Sequence, residues 1–400
     1  MDKKENKGVY RNSTEIMQLA GQPVYMKDIV DACLYGRLNL FLQGDTGSGK
    51  TQLARDAMNY FGNKSMFILG RNDMDTRELF QQINLEKLKT AKSSAELKEL
   101  TDKVDYHLIV VDELPNCVPA VRAQLFNLFD GFVELNGKAY PIGKDYSVGI
   151  ATGNIGQQFT ESSNELGRAL KDRMHVIVDT DYFMPKPSDT LEILAGNTNP
   201  RVEFSDSDED LSHGIIEKSK IVSSKEPNLA KLIYVNYLLH GLDYCSEGSK
   251  RKMKDRWPNS LDNHAQGSDE QLILPISPRA AKSILRLSQA LDNIVIEKGA
   301  KNIDDFESVM QAYKLVSAYS GILNEASVQA DYNGDHYKAI DAIIQTTKQQ
   351  FNEQEKTIAQ GLKLAKEGKT NSKVLNKLTG RWEFMKDIFE NLAQKQNKSA

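Results

Sequence analysis

The sequence has little cysteine and no long apolar run. Its 400 residues include three cysteines, Cys33, Cys117 and Cys245. Because their number is odd and they lie far apart in the sequence, a disulfide framework and a Cys-x-x-Cys metal knuckle are excluded. Apolar runs such as residues 108–111 are far shorter than the ~20 residues that a membrane helix requires. The charged start of the chain has no apolar segment typical of a secretory signal. These absences predict a soluble, cytoplasmic protein.

An excess of charge of either sign is also missing. The chain has 51 basic and 55 acidic residues, a formal net charge of −4, and two tryptophans. Proteins that bind nucleic acid usually carry a basic surface with aromatic side chains for base stacking. The composition therefore does not indicate such a surface, although a net charge near zero is compatible with local basic patches. Hydrophobic residues make up 40% of the chain, which is enough for the cores of two or three domains.

Short apolar segments alternate with amphipathic ones in the first half of the chain. Predicted strands cover residues 38–42, 65–69, 107–111, 147–151 and 176–178, and predicted helices cover residues 22–36, 51–61, 85–103 and 118–129. Residues 132–142 are typical of a hairpin, because the central Asn-Gly pair suits the positive φ of a type I′ turn. This alternation predicts an α/β fold with a parallel sheet covered by helices on both faces.

Four segments are predicted along the chain. Residues 1–21 are polar and are expected to be a flexible N-terminal segment. Residues 22–185 form the α/β core, residues 186–335 a helical lid with insertions, and residues 336–400 a C-terminal helical extension. Beyond residue 185 the pattern is helical, and an apolar stripe from Ile340 to Leu362 repeats at helical spacing.

A phosphate-binding motif lies between the first of these strands and the helix that follows it. The segment has the pattern G-x-x-x-x-G-K-[ST]. Its nucleotide-binding residues are Gly44, Asp45, Thr46, Gly47, Ser48, Gly49, Lys50 and Thr51. Glycines let backbone N–H groups converge on phosphate oxygens, and the start of a helix favours negative charge. Lys50 is expected to contact the β- and γ-phosphates, and Thr51 is expected to bind Mg²⁺.

An acidic pair, Asp112 and Glu113, follows the buried strand at residues 107–111. Because ligands of open α/β sheets bind at the carboxyl ends of the strands, Asp112 is expected to hold Mg²⁺ together with Thr51. Glu113 is expected to orient or deprotonate the water that attacks the γ-phosphate. Asn154 ends the next strand and is expected to reach the same water. These residues predict a Mg²⁺-dependent nucleoside triphosphatase.

The order and spacing of these elements resemble the AAA+ ATPases, and among them the MoxR-like branch related to dynein-type modules (the AAA_5 type). The resemblance rests on residues 22–36, the phosphate-binding motif, the acidic pair, the hairpin, and residues 150–154, 169–174 and 276–280. It covers roughly residues 22–185 and 272–296. It implies a P-loop parallel sheet sandwiched by helices, an α-helical lid, C-terminal helices, and the cofactors ATP and Mg²⁺.

The resemblance also implies two arginines that complete the site, one from a neighbouring subunit and one from the lid. In this family an arginine at the position of Arg173 reaches the γ-phosphate of the neighbouring subunit, which makes Arg173 a catalytic residue; Arg168 is the alternative. Arg279, in the segment Ser277-Pro278-Arg279, would contact the nucleotide from the lid. The implied assembly is a ring-shaped homo-oligomer, a hexamer.

The function that the resemblance implies is ATP-driven remodelling or maturation of a protein client, often with a von Willebrand factor A-type adaptor. Two alternatives stay open, a motor or loader acting on nucleic acid and a slow nucleotide-gated scaffold. The charged residues 86–105 replace a shorter connection in related proteins, and they follow residues 72–79, where the family places loops that face the ring pore. The surface expected to contact the client is thus the least family-like part of the core.

Overall fold

A computed structural model describes residues 14–71, 80–83, 98–135, 137–154, 170–195, 210–244 and 269–399. The chain divides into two compact units, the first made of Met1–Glu226 with Arg286–Ser308 and the second of Pro227–Leu285 with Val309–Ala400. The limits of the four segments given above stay predictions. Residues 72–79, expected to face a ring pore, lie outside the described residues.

Eleven strands are present in the described part of the chain. In chain order they are β1 (Glu15–Leu19), β2 (Gln22–Tyr25), β3 (Leu40–Gly44), β4 (Ser65–Leu69), β5 (Gln81–Ile83), β6 (Lys98–Leu100), β7 (Leu108–Asp112), β8 (Phe132–Leu135), β9 (Lys138–Pro141), β10 (Val148–Asn154) and β11 (Val176–Asp179). All of them belong to the first unit.

The described residues also form thirteen α-helices. In chain order they are α1 (Met26–Gly36), α2 (Lys50–Met58), α3 (Pro119–Phe129), α4 (Pro187–Ala195), α5 (Ser212–Ser224), α6 (Leu229–Asn236), α7 (Asp269–Leu272), α8 (Pro278–Glu297), α9 (Asp305–Ser317), α10 (Glu325–Tyr332), α11 (His336–Lys366), α12 (Ser372–Leu375) and α13 (Phe384–Ser399). Among these residues, no helix is long and apolar enough to cross a membrane.

A five-stranded parallel sheet with the order β11-β3-β10-β7-β4 forms the centre of the first unit. Every residue of β3, β7 and β11 is buried, as expected of parallel strands that are covered on both faces. Helices α2 and α3 both pack against β10. The predicted fold class is confirmed, an α/β P-loop core followed by a helical region.

The hairpin expected at residues 132–142 is confirmed. Strands β8 and β9 pair antiparallel, from Phe132 with Pro141 to Leu135 with Lys138. Gly137 in the turn has φ +74°, a conformation that glycine adopts without strain. The hairpin is separate from the parallel sheet.

Two short segments differ from the expected secondary structure. Residues 15–19, expected within a flexible terminus, form β1, which pairs with β2 at residues 22–25, expected as part of a helix. Both strands bury a side chain completely, Leu19 and Val24, and burial stabilises the pair. Within the stretch 85–103, expected to be helical, Lys98–Leu100 forms β6 and pairs with β5; residues 84–97 lie outside the described part. The pairing of β5 with β6 joins segments that are separated along the chain, so local periodicity gives little sign of it.

The second unit is helical over its described residues. It contains α6, α7, the first turns of α8, most of α9, and α10 to α13. The apolar stripe of α11 is buried at Ile340 and Ile343. Further along α11, a Cβ at Gly361 would lie 2.1 Å from the ring of Phe389 in α13, so the glycine permits the close approach of these two helices.

Candidate nucleotide-binding site

The phosphate loop, residues 45–49, connects the end of β3 to the start of α2. Gly47 and Gly49 have φ +81° and +83°, values that residues with a Cβ rarely adopt. Gly49 directly precedes the first residue of α2, so the first N–H groups of that helix lie beside the loop. This is the backbone arrangement that binds phosphate.

Lys50 is buried, with 6% of its surface exposed, and its ammonium group is surrounded by oxygen atoms. The Nζ atom lies 3.0 Å from the carbonyl of Gly44, 2.7 Å from that of Asp45 and 3.2 Å from Ser48 Oγ. It lies 3.2 Å from Asn154 Oδ1 at the end of β10. These contacts compensate the cost of burying the charge and bring together two residues that the sequence predicted separately.

Thr51 and Asp112 are in direct contact. The Thr51 hydroxyl donates a hydrogen bond of 2.8 Å to Asp112 Oδ1, and the Asp112 carboxylate is 7% exposed. A second hydroxyl, that of Thr152 on β10, donates to the same Oδ1 atom at 2.5 Å. Hydroxyl and carboxylate oxygens are the ligands that Mg²⁺ prefers. The chemistry of this pair therefore fits the metal that accompanies ATP.

Glu113 has a left-handed backbone, with φ 57° and ψ 40°. For a residue with a Cβ this conformation costs on the order of 1–3 kcal/mol and persists only where the surroundings fix it. The Glu113 N–H donates to Thr152 Oγ1 at 3.1 Å. Its carboxylate accepts a hydrogen bond of 3.3 Å from Asn116 Nδ2. The conformation turns the chain out of β7 directly after Asp112.

Two glycines leave room for the acidic pair. A Cβ at Gly70, which follows β4, would lie 2.6 Å from the Glu113 carbonyl oxygen, and the Gly70 N–H donates to the Asp112 carbonyl at 2.7 Å. A Cβ at Gly153 would lie 2.5 Å from the ring of Pro115. The segment after β7 is therefore packed between the ends of β4 and β10. Neither glycine was identified from the sequence.

The end of β11 supports the phosphate loop from the other side. Thr180 is fully buried, and its hydroxyl is hydrogen-bonded to Ser48 Oγ at 2.9 Å. The Asp181 carboxylate accepts the N–H of Asp45. A Cβ at Gly44 would lie 2.2 Å from Thr180 Oγ1. Thr180 and Asp181 were not predicted from the sequence, because their contacts depend on the pairing of β11 with β3.

Cys117 lies close to the acidic pair. It is 2% exposed, and its Sγ atom would be 3.0 Å from a Cβ at Gly70. Burial raises the pKa of the Cys117 thiol, which disfavours the nucleophilic thiolate. The residue packs as a small apolar side chain.

Arg173 lies away from the phosphate loop of its own subunit. Its backbone carbonyl accepts a hydrogen bond of 3.0 Å from Asn39, which precedes β3, whereas the phosphate loop follows β3. Its Nε donates to Asp130 at 2.8 Å, and its guanidinium lies 4.9 Å from the ring centre of Phe126. The alternative residue, Arg168, lies outside the described residues.

Arg279 is the second residue of α8, at a helix start where the Ser277 hydroxyl accepts the N–H of Ala280 at 3.1 Å. It belongs to the second compact unit, whereas the phosphate loop belongs to the first. Its contact with a nucleotide stays a prediction. Hydrogen bonds between predicted side chains thus join Lys50 with Ser48 and Asn154, and Thr51 with Asp112.

Comparison with known proteins agrees with this geometry. Residues 39–174 match the family model of the AAA domain (dynein-related subfamily). The crystal structure of a "putative ATPase" from Cytophaga hutchinsonii superposes with a TM-score of 0.53 at 16% identity, covering 80% of this chain and 88% of that chain. At that identity the likeness concerns the fold. No curated protein matches this sequence significantly. The segment that contains the phosphate loop and the acidic pair is therefore similar to the AAA domain of the dynein-related subfamily, which supports ATPase activity.

Proposed function

We propose that the protein is a MoxR-like, Mg²⁺-dependent ATPase whose ring assembly drives the remodelling or maturation of a protein client. The observation that carries the hydrolytic part is the 2.8 Å hydrogen bond between Thr51 and Asp112. The phosphate-binding motif supplies the hydroxyl for Mg²⁺, and the end of β7 supplies the carboxylate. The hydrogen bond shows that these two groups lie together.

Each part of the site has a role in hydrolysis. The N–H groups of the phosphate loop and the Lys50 ammonium bind the phosphates, and Lys50 exchanges part of its present oxygen contacts for phosphate oxygens. Thr51 and Asp112 would hold Mg²⁺, which neutralises charge on the β- and γ-phosphates. Glu113 orients or deprotonates the attacking water, and Asn154 positions that water from the end of β10.

The position of Arg173 supports a composite site between subunits. Because the residue lies at the opposite end of β3 from the phosphate loop of its own chain, we propose that it acts on the nucleotide of a neighbouring subunit. An arginine at that point adds positive charge where the transition state spreads negative charge. We propose a ring-shaped homo-oligomer, a hexamer, in which Arg173 acts in trans and Arg279 contacts the nucleotide.

A protein client is favoured over nucleic acid by the charge of the chain. The net charge of −4 and two tryptophans provide little for phosphate neutralisation or base stacking. In MoxR-like systems a von Willebrand factor A-type adaptor often links the ATPase to its client, and such an adaptor is part of the proposal. The proximity of Asn154 to Lys50 and of Glu113 to Asp112 argues for turnover rather than for a slow scaffold.

Hydrolysis is tested with the purified protein and Mg²⁺-ATP. We expect phosphate release that EDTA abolishes, and in Glu113→Gln a fall in kcat of about 100-fold or more, since a positioned general base contributes ~10²–10⁴-fold. Glu113→Gln should still bind ATP, because the substitution removes the charge and keeps the shape. Turnover at the wild-type rate in Glu113→Gln would remove Glu113 from the mechanism.

The client is identified with the same variant. Glu113→Gln is loaded with Mg²⁺-ATP in native lysate and captured, and the double variant Lys50→Ala/Glu113→Gln, which lacks the phosphate-binding ammonium, serves as the matched control. A protein recovered only with the single variant, which then stimulates ATP hydrolysis by the wild type, supports the remodelling function. Recovery of nucleic acid that stimulates hydrolysis would support a motor, and ATP binding without turnover would support a scaffold.

A further inference from the structure

We propose that Thr152 is a positioning residue that fixes both members of the acidic pair through one hydroxyl group. The hydroxyl donates to Asp112 Oδ1 at 2.5 Å and accepts the N–H of Glu113 at 3.1 Å. A threonine hydroxyl has one proton to donate and lone pairs to accept, and here it uses both functions on consecutive residues. The proposal rests on the function proposed for Glu113.

The position of Thr152 in the sheet holds its side chain in a fixed conformation. It lies within β10, between β3 and β7 in the central sheet, and its side chain is 1% exposed. A β-branched side chain in a strand has restricted χ1 freedom. The hydroxyl is therefore held by a buried strand in the interior of the sheet, whereas Glu113 lies beyond the end of its own strand.

Glu113 depends on this contact because of its backbone. Its φ of 57° is unfavourable for glutamate, and the conformation survives only where surrounding contacts fix it. Without the acceptor at Thr152, the Glu113 N–H loses its hydrogen bond in a part-buried place. The backbone then relaxes toward an ordinary conformation, and the carboxylate leaves the position from which it acts on water.

Asp112 accepts a hydrogen bond from the Thr152 hydroxyl in addition to the one from Thr51. Both hydroxyls donate to the same carboxylate oxygen. If Thr51 were to turn its oxygen toward a bound metal, the hydrogen bond from Thr152 would still hold Asp112 Oδ1 in place. Thr152 thus acts through the acidic pair and does not itself contact the nucleotide.

The first test compares three substitutions at this position. Thr152→Val keeps the shape and removes the hydroxyl, Thr152→Ser keeps the hydroxyl and removes a methyl group, and Thr152→Ala removes both. We expect kcat to fall about tenfold or more in the valine and alanine variants, as for a displaced general base. The KM for ATP should change less than about twofold, and the serine variant should keep most of its activity.

A second readout does not depend on hydrolysis. In the nucleotide-free protein, the backbone amide of Glu113 should exchange its hydrogen faster in Thr152→Val and Thr152→Ala than in the wild type and Thr152→Ser. Thr347→Val removes a hydroxyl that is also 1% exposed but lies in the second unit. It controls for the general effect of losing a buried hydroxyl and should leave the exchange of Glu113 unchanged.

A double-mutant cycle with Glu113→Gln shows whether Thr152 acts through Glu113. If it does, Thr152→Val lowers kcat by a much smaller factor in the Glu113→Gln background than in the wild type, and the loss that remains reports the contact with Asp112. The proposal would be overturned if kcat fell equally in the serine and valine variants. It would also be overturned if Thr152→Val kept both the wild-type kcat and the wild-type exchange rate of the Glu113 amide. If Glu113→Gln alone keeps the wild-type rate, the proposed role of Glu113 is wrong, while faster exchange of its amide still supports the contact with Thr152.

Discussion

The ammonium group of Lys50 lies 3.2 Å from the side-chain oxygen of Asn154. The two residues are 104 positions apart, and the register of the sheet brings them together, since Asn154 pairs with Gly44 where β10 runs parallel to β3. The residue at the end of β10 therefore lies beside the first residue of the phosphate-binding motif. Phosphate binding at Lys50 would therefore alter the surroundings of Asn154 and couple the two parts of the proposed site.

Lys50→Ala is expected to abolish ATP binding. The substitution removes the positive charge that the phosphates require, together with a side chain that contacts four oxygen atoms of the site. Isothermal titration calorimetry with a non-hydrolysable ATP analogue measures the loss. Lys64→Ala, at an exposed lysine of a separate turn, should bind like the wild type. Normal affinity in Lys50→Ala would overturn the assignment of the phosphate loop.

The local parts of the site were predictable from the sequence. Glycine spacing and a terminal Lys-Thr pair mark the loop, and an apolar run followed by Asp112 and Glu113 marks a strand end. Thr152 was not predicted, because its importance depends on the pairing of β10 with β7. One signal was nonetheless present: in a strand, residues two apart share a face, so Thr152 and Asn154 point to the same side of the sheet.

Gly153→Ala is expected to destabilise the protein and to displace the acidic pair. A new Cβ would lie 2.5 Å from Pro115 and 3.0 Å from Phe41, and overpacking of this kind costs typically ~1–3 kcal/mol. Because Pro115 follows Glu113 so closely, kcat should fall along with the melting temperature. Thermal unfolding and phosphate release measure the two effects.

The matched control for Gly153→Ala is Gly214→Ala. Gly214 lies within α5, and a Cβ added there would meet open space, with no atom beyond its own stretch of helix within 4 Å. Alanine in a helix interior is more stable than glycine by roughly 0.5–1 kcal/mol, so this variant should gain stability and keep its ATPase activity. Equal melting temperatures for the two variants would contradict the steric argument.

Arg381 and Asp269 form an ion pair with two hydrogen bonds in the second unit, at 2.5 and 3.3 Å. The side chains are 13% and 9% exposed. Arg381→Met leaves a buried carboxylate without its partner, which costs ~3–5 kcal/mol. Denaturation in urea measures the loss, and Asp269→Leu in the same chain should recover a large part of it.

An exposed ion pair provides the comparison. Lys220 and Glu217 lie 2.8 Å apart on α5, with side chains 58% and 48% exposed. Lys220→Met should destabilise the protein far less than Arg381→Met, because water already solvates both groups. If Lys220→Met and Arg381→Met were equally destabilising, burial would not explain the effect of the second-unit pair.

Arg173→Ala mixed with Glu113→Gln tests the composite site. Each variant alone is expected to be nearly inactive, since the first lacks the arginine in trans and the second lacks the catalytic carboxylate. In a mixed ring, a subunit with Glu113 beside a subunit with Arg173 forms a complete site. For equal amounts and random head-to-tail assembly, about a quarter of the sites are complete. Phosphate release at varied mixing ratios measures the recovery.

The structure also offers a control against a purely structural role of Arg173. Its ion pair with Asp130 is partly exposed, at 25% and 26%, and such pairs contribute at most about 1 kcal/mol. Asp130→Ala removes the pair and keeps the arginine, so it should retain far more activity than Arg173→Ala. If mixing restores nothing while both variants assemble, Arg173 does not act in trans, and the same experiment with Arg168→Ala tests the alternative residue.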